Sequence, residues 1–361
     1  MIERFKKKLL SAIGIEYPII QAPMAGSPTS PELVAAVSNA GALGSLGAGM
    51  LSPQAMTEQV ERIRVLTDRP FNVNLFILDP PRPTEAELAE AQARLVPLRA
   101  ELGLTPAAPP SRFCEDNGDQ IAALLELAPP VVSFTFGLLD KGRVAEFQHK
   151  GCRVIGSATT TAEARAWEET GADFVCLQGV EGGGHRGTFL GDVEQSGVGL
   201  MALLSQAARA VRVPLIAAGG IMDGRGIAAA LILGAQAVQL GTAFLCCPES
   251  GAHPGWKRRL QRARDDETRL TRVFSGKFAR GLVNEFMERL RPFEAQIPPY
   301  PIQNALTREI RRAAARQERT EFMSLWAGQG AGLCRSLPAG QLVTVLMEEL
   351  DAALPGAILS D

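Results

Sequence analysis

The amino-acid sequence predicts an α/β chain built on a (β/α)8 TIM barrel, with a smaller, mainly helical second domain. Three observations predict it: eight short apolar runs precede residue 245, helical stretches alternate with them, and the alternation stops after Cys247. The runs occupy 18–22, 42–46, 71–76, 131–136, 153–157, 174–178, 214–218 and 237–240. They are almost continuously apolar, as strands of a parallel sheet are when both faces are covered. An open dinucleotide-binding sheet is the other architecture such a repeat allows. That sheet normally carries Gly-x-Gly-x-x-Gly after its first strand. Here the first strand leads into Ala22-Pro23-Met24-Ala25-Gly26, and the glycine-rich run 44–49 has the wrong spacing.

The helices between the runs carry their own start and stop signals. Ser30-Pro31-Glu32 places a cap, a first-turn proline and an acid in order, and Gly41 closes that helix. Ser52-Pro53-Gln54 repeats the arrangement, Thr161-Ala162-Glu163 opens a helix ending on Gly171, and Asp223 opens one ending at Gly234. The stretch 228–247 approaches the length of a membrane span. Gly234, Gln236 and Gln239 interrupt it, so it reads as a buried helix, a turn and a buried strand. Residues 79–112 break the repeat as a helical insertion bracketed by prolines, expected to cover one barrel loop. The predicted division is a barrel over 1–247, carrying that insertion, and a mainly helical region over 248–361 that packs over the barrel mouth. The basic stretch 308–319 reads as a solvated helix face.

Composition narrows the possible partners. Of 361 residues, 46% are hydrophobic and 21% charged, and 37 basic against 39 acidic residues leave a net charge of −2. Such a chain has a substantial core and no long-range field to attract nucleic acid or a membrane surface. Binding of an anion must then come from a local site. The cysteines form no Cys-x-x-Cys pair, and His149, His185 and His253 form no His-Glu-x-x-His, so no metal site is expected. The first eighteen residues hold a basic cluster and a short apolar stretch broken by Gly14 and Glu16, unlike a secretory signal. A reduced, cytoplasmic protein is the expectation.

Barrel enzymes carry their sites at the C-terminal ends of the strands and often bind phosphate after strands seven and eight. Strand seven ends in Gly219-Gly220 and strand eight runs through Gln239 and Leu240 into Gly241-Thr242. Glycine lets backbone N–H groups close on phosphate oxygens, and a following helix start favours negative charge. Either pair alone reads as an ordinary strand-to-helix turn; two at the positions the fold predicts point to one phosphate. Strand six runs into Gln178-Gly179-Val180-Glu181-Gly182-Gly183-Gly184-His185, which allows backbone to lie against a flat ligand and carries an imidazole to the mouth. His185 is therefore the catalytic candidate, and His149 and His253 are read as structural. Gln21, Asn74 and Gln178 offer amides, and Met24 apolar packing, of the kind a flavin ring takes.

The segments PIIQAPMAGSPTSPELVAAVSNAGALGSLGAGM, FNVNLFI, GVEGGGHRGTF, IAAGGIMDGRG and QLGTAFLCCPES together resemble nitronate monooxygenases, formerly 2-nitropropane dioxygenases. RVFSGKFARGLVNEFM, PYPIQNALT and LWAGQGAGL resemble the class I branch and carry the likeness almost to the C-terminus. The resemblance implies a barrel with a smaller helical domain, non-covalent FMN, and oxidation of alkyl nitronates by molecular oxygen to nitrite and a carbonyl product. Propionate 3-nitronate is the implied physiological substrate, and detoxification the implied role. Carried over, the cofactor contacts are Ala22, Pro23, Met24, Asn74, Gln178, Gly183, Gly220, Gln239, Gly241 and Thr242, beside the turn residues Gly219 and Leu240. The catalytic histidine falls on His185, and Tyr300 lies in the segment resembling the branch's substrate-side tyrosine region. Two positions depart from the pattern. Phe134-Thr135-Phe136-Gly137 stands where the branch has Phe-His-Phe-Gly, and Gly182 where alanine is commoner. The rival readings are an FMN-dependent enoyl-acyl-carrier-protein reductase using NAD(P)H, and a flavin-binding barrel without turnover. A monomer or homodimer is expected.

Overall fold

Parallel pairing of strands that are apolar on both faces closes this chain into a barrel. The strands are β1 (Ile19–Gln21), β2 (Gly44–Gly47), β3 (Phe71–Phe76), β4 (Val131–Thr135), β5 (Arg153–Ala158), β6 (Phe174–Gln178), the two-residue β7 (Gly184–His185), β8 (Leu215–Ala218), β9 (Ala237–Leu240), β10 (Thr268–Thr271) and β11 (Ala279–Leu282). The computed structural model describes residues 2–79, 82–105, 108 and 110–354. Parts of the predicted insertion and of the C-terminal region thus lie outside the described residues. The barrel order is β1-β9-β8-β6-β5-β4-β3-β2. Ile20 and Leu43 close the ring through a parallel bridge, with Leu43 N–H donating to Ile19 O at 3.0 Å and Gln21 N–H to Leu43 O at 2.9 Å. Every strand read from the sequence is present, the largest shift being 42–46 to Gly44–Gly47.

Strand periodicity sorts the side chains into two layers. Ile20, Val131, Ile155, Phe174, Cys176 and Ile216 pack inside the barrel, where Leu9 and Ile13 of the helix Ile2–Ile13 join them as a floor. Their neighbours Ile19, Val132, Val154, Val175 and Val238 face outward under the helices. Nearer the C-terminal ends the inward positions become polar: Asn72, Asn74, Ser133, Ser157, Gln178 and Gln239. Both Asn72 and Asn74 donate Nδ2–H to Ser133 Oγ at 2.9 Å. A polar site above an apolar plug is the result.

Two features differ from the predicted division. The helix Glu85–Glu101 of the insertion sends Ala91, Leu95 and Leu98 into a second apolar cluster with Trp256, Phe274, Phe286 and Phe322, so it packs on the post-barrel segment. That segment contains a ribbon, β10 with β11, and β11 also pairs antiparallel with β7. The helix Ala339–Ala353, grouped with 248–361 by the sequence, instead lies in the barrel's own layer. Its Leu342, Val343, Leu346 and Leu350 pack with the helices Pro31–Asn39 and Gly224–Ile232. The physical reason is coverage. After β9 comes only the four-residue helix Thr242–Leu245, too short to cover the last strands, so the chain returns from the second cluster to do it. Residues 228–247 fold as the end of Gly224–Ile232, a turn, β9 and Thr242–Leu245, and no described helix is long and apolar enough to cross a membrane.

Gly156 shows how tightly the outer layer is set. It faces Trp167, which is fully buried, and a Cβ there would stand 2.0 Å from the indole Cδ2. Replacing Gly156 by Ala is expected to cost about 1–3 kcal/mol through overpacking, read as a lowered midpoint in denaturant unfolding. An unchanged midpoint would mean that the helix Thr161–Thr170 shifts freely, contrary to this packing.

Candidate active site

The C-terminal strand ends surround a cavity of about 880 Å³. Every residue singled out as a ligand contact lines it except Gln21. Ala22, Pro23 and Met24 follow β1, Asn74 comes from β3, Gln178, Gly183 and His185 from β6 and the loop after it. Gly219 and Gly220 follow β8, Gln239, Leu240, Gly241 and Thr242 surround the end of β9, and Tyr300 comes from the post-barrel segment. Gln21 does not reach the cavity. It is buried, accepting from Ser45 N–H at 2.9 Å and donating to Ser45 O at 3.2 Å and to Ala22 O, so its amide ties β1 to β2 at the barrel's closure.

The two glycine turns after β8 and β9 differ in kind. Gly219 and Gly220 have φ of 126° and 69°, and a Cβ on Gly219 would stand 3.3 Å from the backbone of Gly179 and Gly182. Only glycine holds this turn without strain. The helix after it, Gly224–Ile232, has its first amides taken by carboxylates: Gly226 N–H donates to Asp223 at 2.8 Å and Gly224 N–H to Glu349 at 3.0 Å. That helix start therefore does not add to an anion site, as the sequence had suggested. Gly241, by contrast, leads directly into Thr242–Leu245 with no side-chain cap.

His185 is held on four sides although its loop is rich in glycine. As β7 it pairs with β11, His185 opposite Ala279 and Gly184 opposite Arg280. Gln178 donates Nε2–H to His185 O at 2.9 Å and accepts from Gly187 N–H at 2.8 Å. Buried Arg186 ties the loop's base to Gln178 O at 2.9 Å and Gly179 O at 2.7 Å. Beyond it, buried Glu163 accepts from Phe189 N–H and Leu190 N–H at 2.5 and 2.8 Å. The sequence shows a glycine-rich loop; long-range pairing makes Gly184 and His185 a strand.

Ser275 organises the imidazole. His185 Nε2 lies 2.8 Å from Ser275 Oγ, whose own proton goes to Lys277 O at 3.0 Å. Ser275 then accepts from Nε2–H, which leaves the free lone pair on Nδ1. The rings of Phe136, Tyr300 and Trp326 stand 5.7, 5.7 and 5.4 Å from the imidazole. Burial, aided by the charges of Lys277 and Arg311, pulls His185 down to about 3, so it is neutral at ordinary pH. Burial holds the Tyr300 phenol above its usual range and brings Lys277 down to about 8. Phe136 adopts a left-handed backbone, φ 77°, and carries Lys277 Nζ 4.9 Å from its ring centroid.

Sequence reasoning missed three parts of this site. Ser275 sits 90 residues from His185 and meets it only through the β7–β11 pairing. The aromatic wall adds Phe76 of β3, Phe136 just after β4 and Trp326 to the Tyr300 that the sequence offered. Arg308, Arg311 and Arg312, assigned to a solvated face, line the cavity, and their spacing of three and four residues on the helix Arg308–Arg316 was the available signal.

The family model described as nitronate monooxygenase matches residues 6–349. The chain belongs to the nitronate monooxygenase family. A probable nitronate monooxygenase of Bacillus subtilis (strain 168) is 45% identical over 344 residues, covering 95% of this chain and 98% of that one. One from Staphylococcus haemolyticus (strain JCSC1435) is 42% identical over 354 residues, covering 97% and 98%. Among solved structures, nitroalkane oxidase from Streptomyces ansochromogenes superposes with a TM-score of 0.89 at 44% identity, covering 96% and 98%. FabK from Thermotoga maritima gives 0.74 at 30% identity, covering 96% of each chain. This member of the nitronate monooxygenase family is an oxidoreductase on a TIM barrel. Its Thr135, where the class I pattern has histidine, lines the cavity.

The charge state of His185 is directly testable, because the chain has only 3 histidines. In the holoprotein, the ring signal that disappears in His185→Asn is expected not to titrate between pH 5 and 8 by NMR. A midpoint near 6.5 would show an imidazole exposed to water, against the burial described.

Proposed function

We propose that this family member is an FMN-dependent nitronate monooxygenase, acting on alkyl nitronates and physiologically on propionate 3-nitronate. Molecular oxygen is the oxidant, nitrite and a carbonyl compound are the products, and detoxification is the role. The observation that carries the reading is the charge of the cavity wall: three arginines and, among the described residues, no carboxylate. Such a wall suits an anionic substrate and repels none of its charge.

The residues present fit the cofactor. Gly219 and Gly220 offer backbone where a side chain would be strained, and Gly241-Thr242 opens an uncapped turn, so these would hold the phosphate. Asn74, Gln178 and Gln239 would meet the polar edge of the ring, with Ala22, Pro23, Met24, Gly183 and Leu240 along its faces and stem. Bound FMN supplies the redox chemistry of the reaction.

The protein's share is recognition and orientation. Neutral His185, its Nε2–H fixed on Ser275, presents Nδ1 as an acceptor, and the adjoining aromatic rings exclude water. A base pulled to about 3 is poorly matched to removing a carbon-bound proton, since general bases work best near the operating pH. A nitronate has already lost that proton. The charge-compensated anion, rather than the neutral nitroalkane, is thus the form this site suits.

Purified protein is expected to release FMN on heating. Anaerobically, a nitronate should bleach it faster than NADPH; the reverse order would favour the reductase reading. The His185→Asn variant should keep its FMN. Turnover of a neutral nitroalkane should already be well below that of the nitronate in the parent, and should fall in the variant by less than the about 10²–10⁴ that a general base contributes. Oxygen uptake on both substrates checks this. Equal activity of variant and parent would remove His185 from the chemistry.

A further inference from the structure

Two cysteines stand together behind the turn after β9, and nothing in the proposed reaction uses them. Cys246 is the C-cap of the helix Thr242–Leu245, and Cys334 follows the short 3-10 turn Ala331–Leu333. The Cys334 thiol donates to Thr242 O at 3.2 Å, which satisfies one of the carbonyls that a one-turn helix leaves open. The two thiols are also within hydrogen-bonding reach of each other.

The chain's 6 cysteines are all free thiols, and their surroundings set this pair apart. Burial pushes Cys152 up to about 11 and Cys176 and Cys247 up to about 12, so these stay protonated and unreactive. Cys246 is instead lowered, first by its hydrogen bond with Cys334 and then by the charge of Lys257. Lys257 Nζ is held beside it by Cys247 O at 2.7 Å and Ser250 O at 2.8 Å. Cys334 is raised by the same thiol neighbour, so it keeps its proton while Cys246 carries the charge. A nucleophilic sulfur with a second thiol in reach is the arrangement of a sensing and a resolving cysteine. Cys246 is buried, but Cys334 is only half-buried and its neighbour Leu333 is 57% exposed, so solvent approaches from that side. Among the described residues no group of three His, Cys, Asp or Glu could hold a metal ion, so the pair is not part of such a cluster.

The strap that carries Cys334 reaches the ligand cavity. Gly328 N–H donates to Thr242 Oγ1 at 3.0 Å and Gln329 N–H to Glu181 O at 3.0 Å, and Gly328 lines the cavity with Thr242. A change at Cys334 is therefore a change beside the turn to which the proposed function assigns the phosphate.

We propose that Cys246 and Cys334 are an oxidation site, forming a reversible disulfide with hydrogen peroxide as the oxidant, and that this disulfide weakens FMN binding at the Thr242 turn. The Cys246 thiolate attacks one peroxide oxygen, which gives Cys246–SOH and a hydroxide that takes up a proton as water. The Cys334 sulfur then attacks the Cys246 sulfur; the S–S bond forms, and the hydroxyl leaves with the Cys334 proton as a second water. Two thiols and one peroxide thus give one disulfide and two waters, the sulfurs losing the two electrons that the peroxide oxygens gain. A covalent S–S bond draws the sulfurs closer than a thiol hydrogen bond does. Thr242 O then loses its donor at a buried position, and the strap that holds Thr242 Oγ1 is pulled with it. The effect on FMN rests on the proposed cofactor; the crosslink does not.

The test treats the FMN-loaded protein with hydrogen peroxide and maps its peptides by mass spectrometry without reduction. The expected product is a peptide pair joined from Cys246 to Cys334, two hydrogens lighter than the reduced peptides and separated by dithiothreitol. Cys334→Ser should stop at the Cys246 sulfenic acid, which dimedone traps. Fluorescence of released flavin should show a dissociation constant for FMN several-fold higher in the oxidised parent, restored by dithiothreitol, with no such rise in Cys334→Ser. No crosslink in the parent, or a crosslink through Cys247, would overturn the site. A Cys246–Cys334 crosslink with unchanged FMN affinity would overturn its coupling to the turn. Should heating release no FMN from the parent, the cofactor reading fails, while the peptide map still decides the oxidation site.

Discussion

Two pairs of residues join the molecule's halves at the point where chemistry is expected: Gly184 with Arg280, and His185 with Ala279. One side of this pairing is the loop leaving the barrel's sixth strand. The other is a ribbon anchored in a separate apolar cluster through Leu282, Phe274 and Phe286. The imidazole is thereby referenced to both cores at once. Backbone pairing also delivers Ser275 to Nε2 and Lys277 to the Phe136 ring, because both lie on the turn that feeds β11. A histidine on a glycine-rich loop would otherwise sample many positions, and its tautomer would be unset.

The rest of the site follows from how the barrel is filled. An apolar plug, closed below by Leu9 and Ile13, occupies the lower interior and forces polar inward positions toward the C-terminal mouth. There the amides of Asn74, Gln178 and Gln239 converge without carboxylates among them. Positive charge arrives from outside the barrel, on a helix whose only acid is held by the insertion. The cavity is therefore neutral in its floor and cationic along one wall. That division is what the proposed function draws on, with a flat ring at the strand ends and a small anion above it.

Depression of His185 has a consequence for how such a site works. Burial and neighbouring cations keep the imidazole uncharged, so the positive charge lining the cavity is that of the arginines. On the proposed reading, an anion beside these cations would lower the cost of leaving them in a low-dielectric space.

Much of the fold was legible because it is local. Apolar runs, Ser-Pro starts and glycine stops are short-range signals, and they located all eight barrel strands within about two residues. The cavity-lining residues were legible for a related reason: a parallel barrel delivers every strand end to one face, so position in the repeat implies position in the mouth. Gln21 shows the limit, since a one-residue change along a strand reverses the face and turned an expected cavity amide into a clamp at the barrel's seam. What only the tertiary structure decided is long-range. The return of Ala339–Ala353 to the barrel wall, the meeting of Ser275 with His185 and the orientation of Arg311 all depend on segments far apart in the chain. Their energies come from burial and pairing that no window of sequence contains, whereas strand and helix signals are written in the backbone preferences of neighbouring residues.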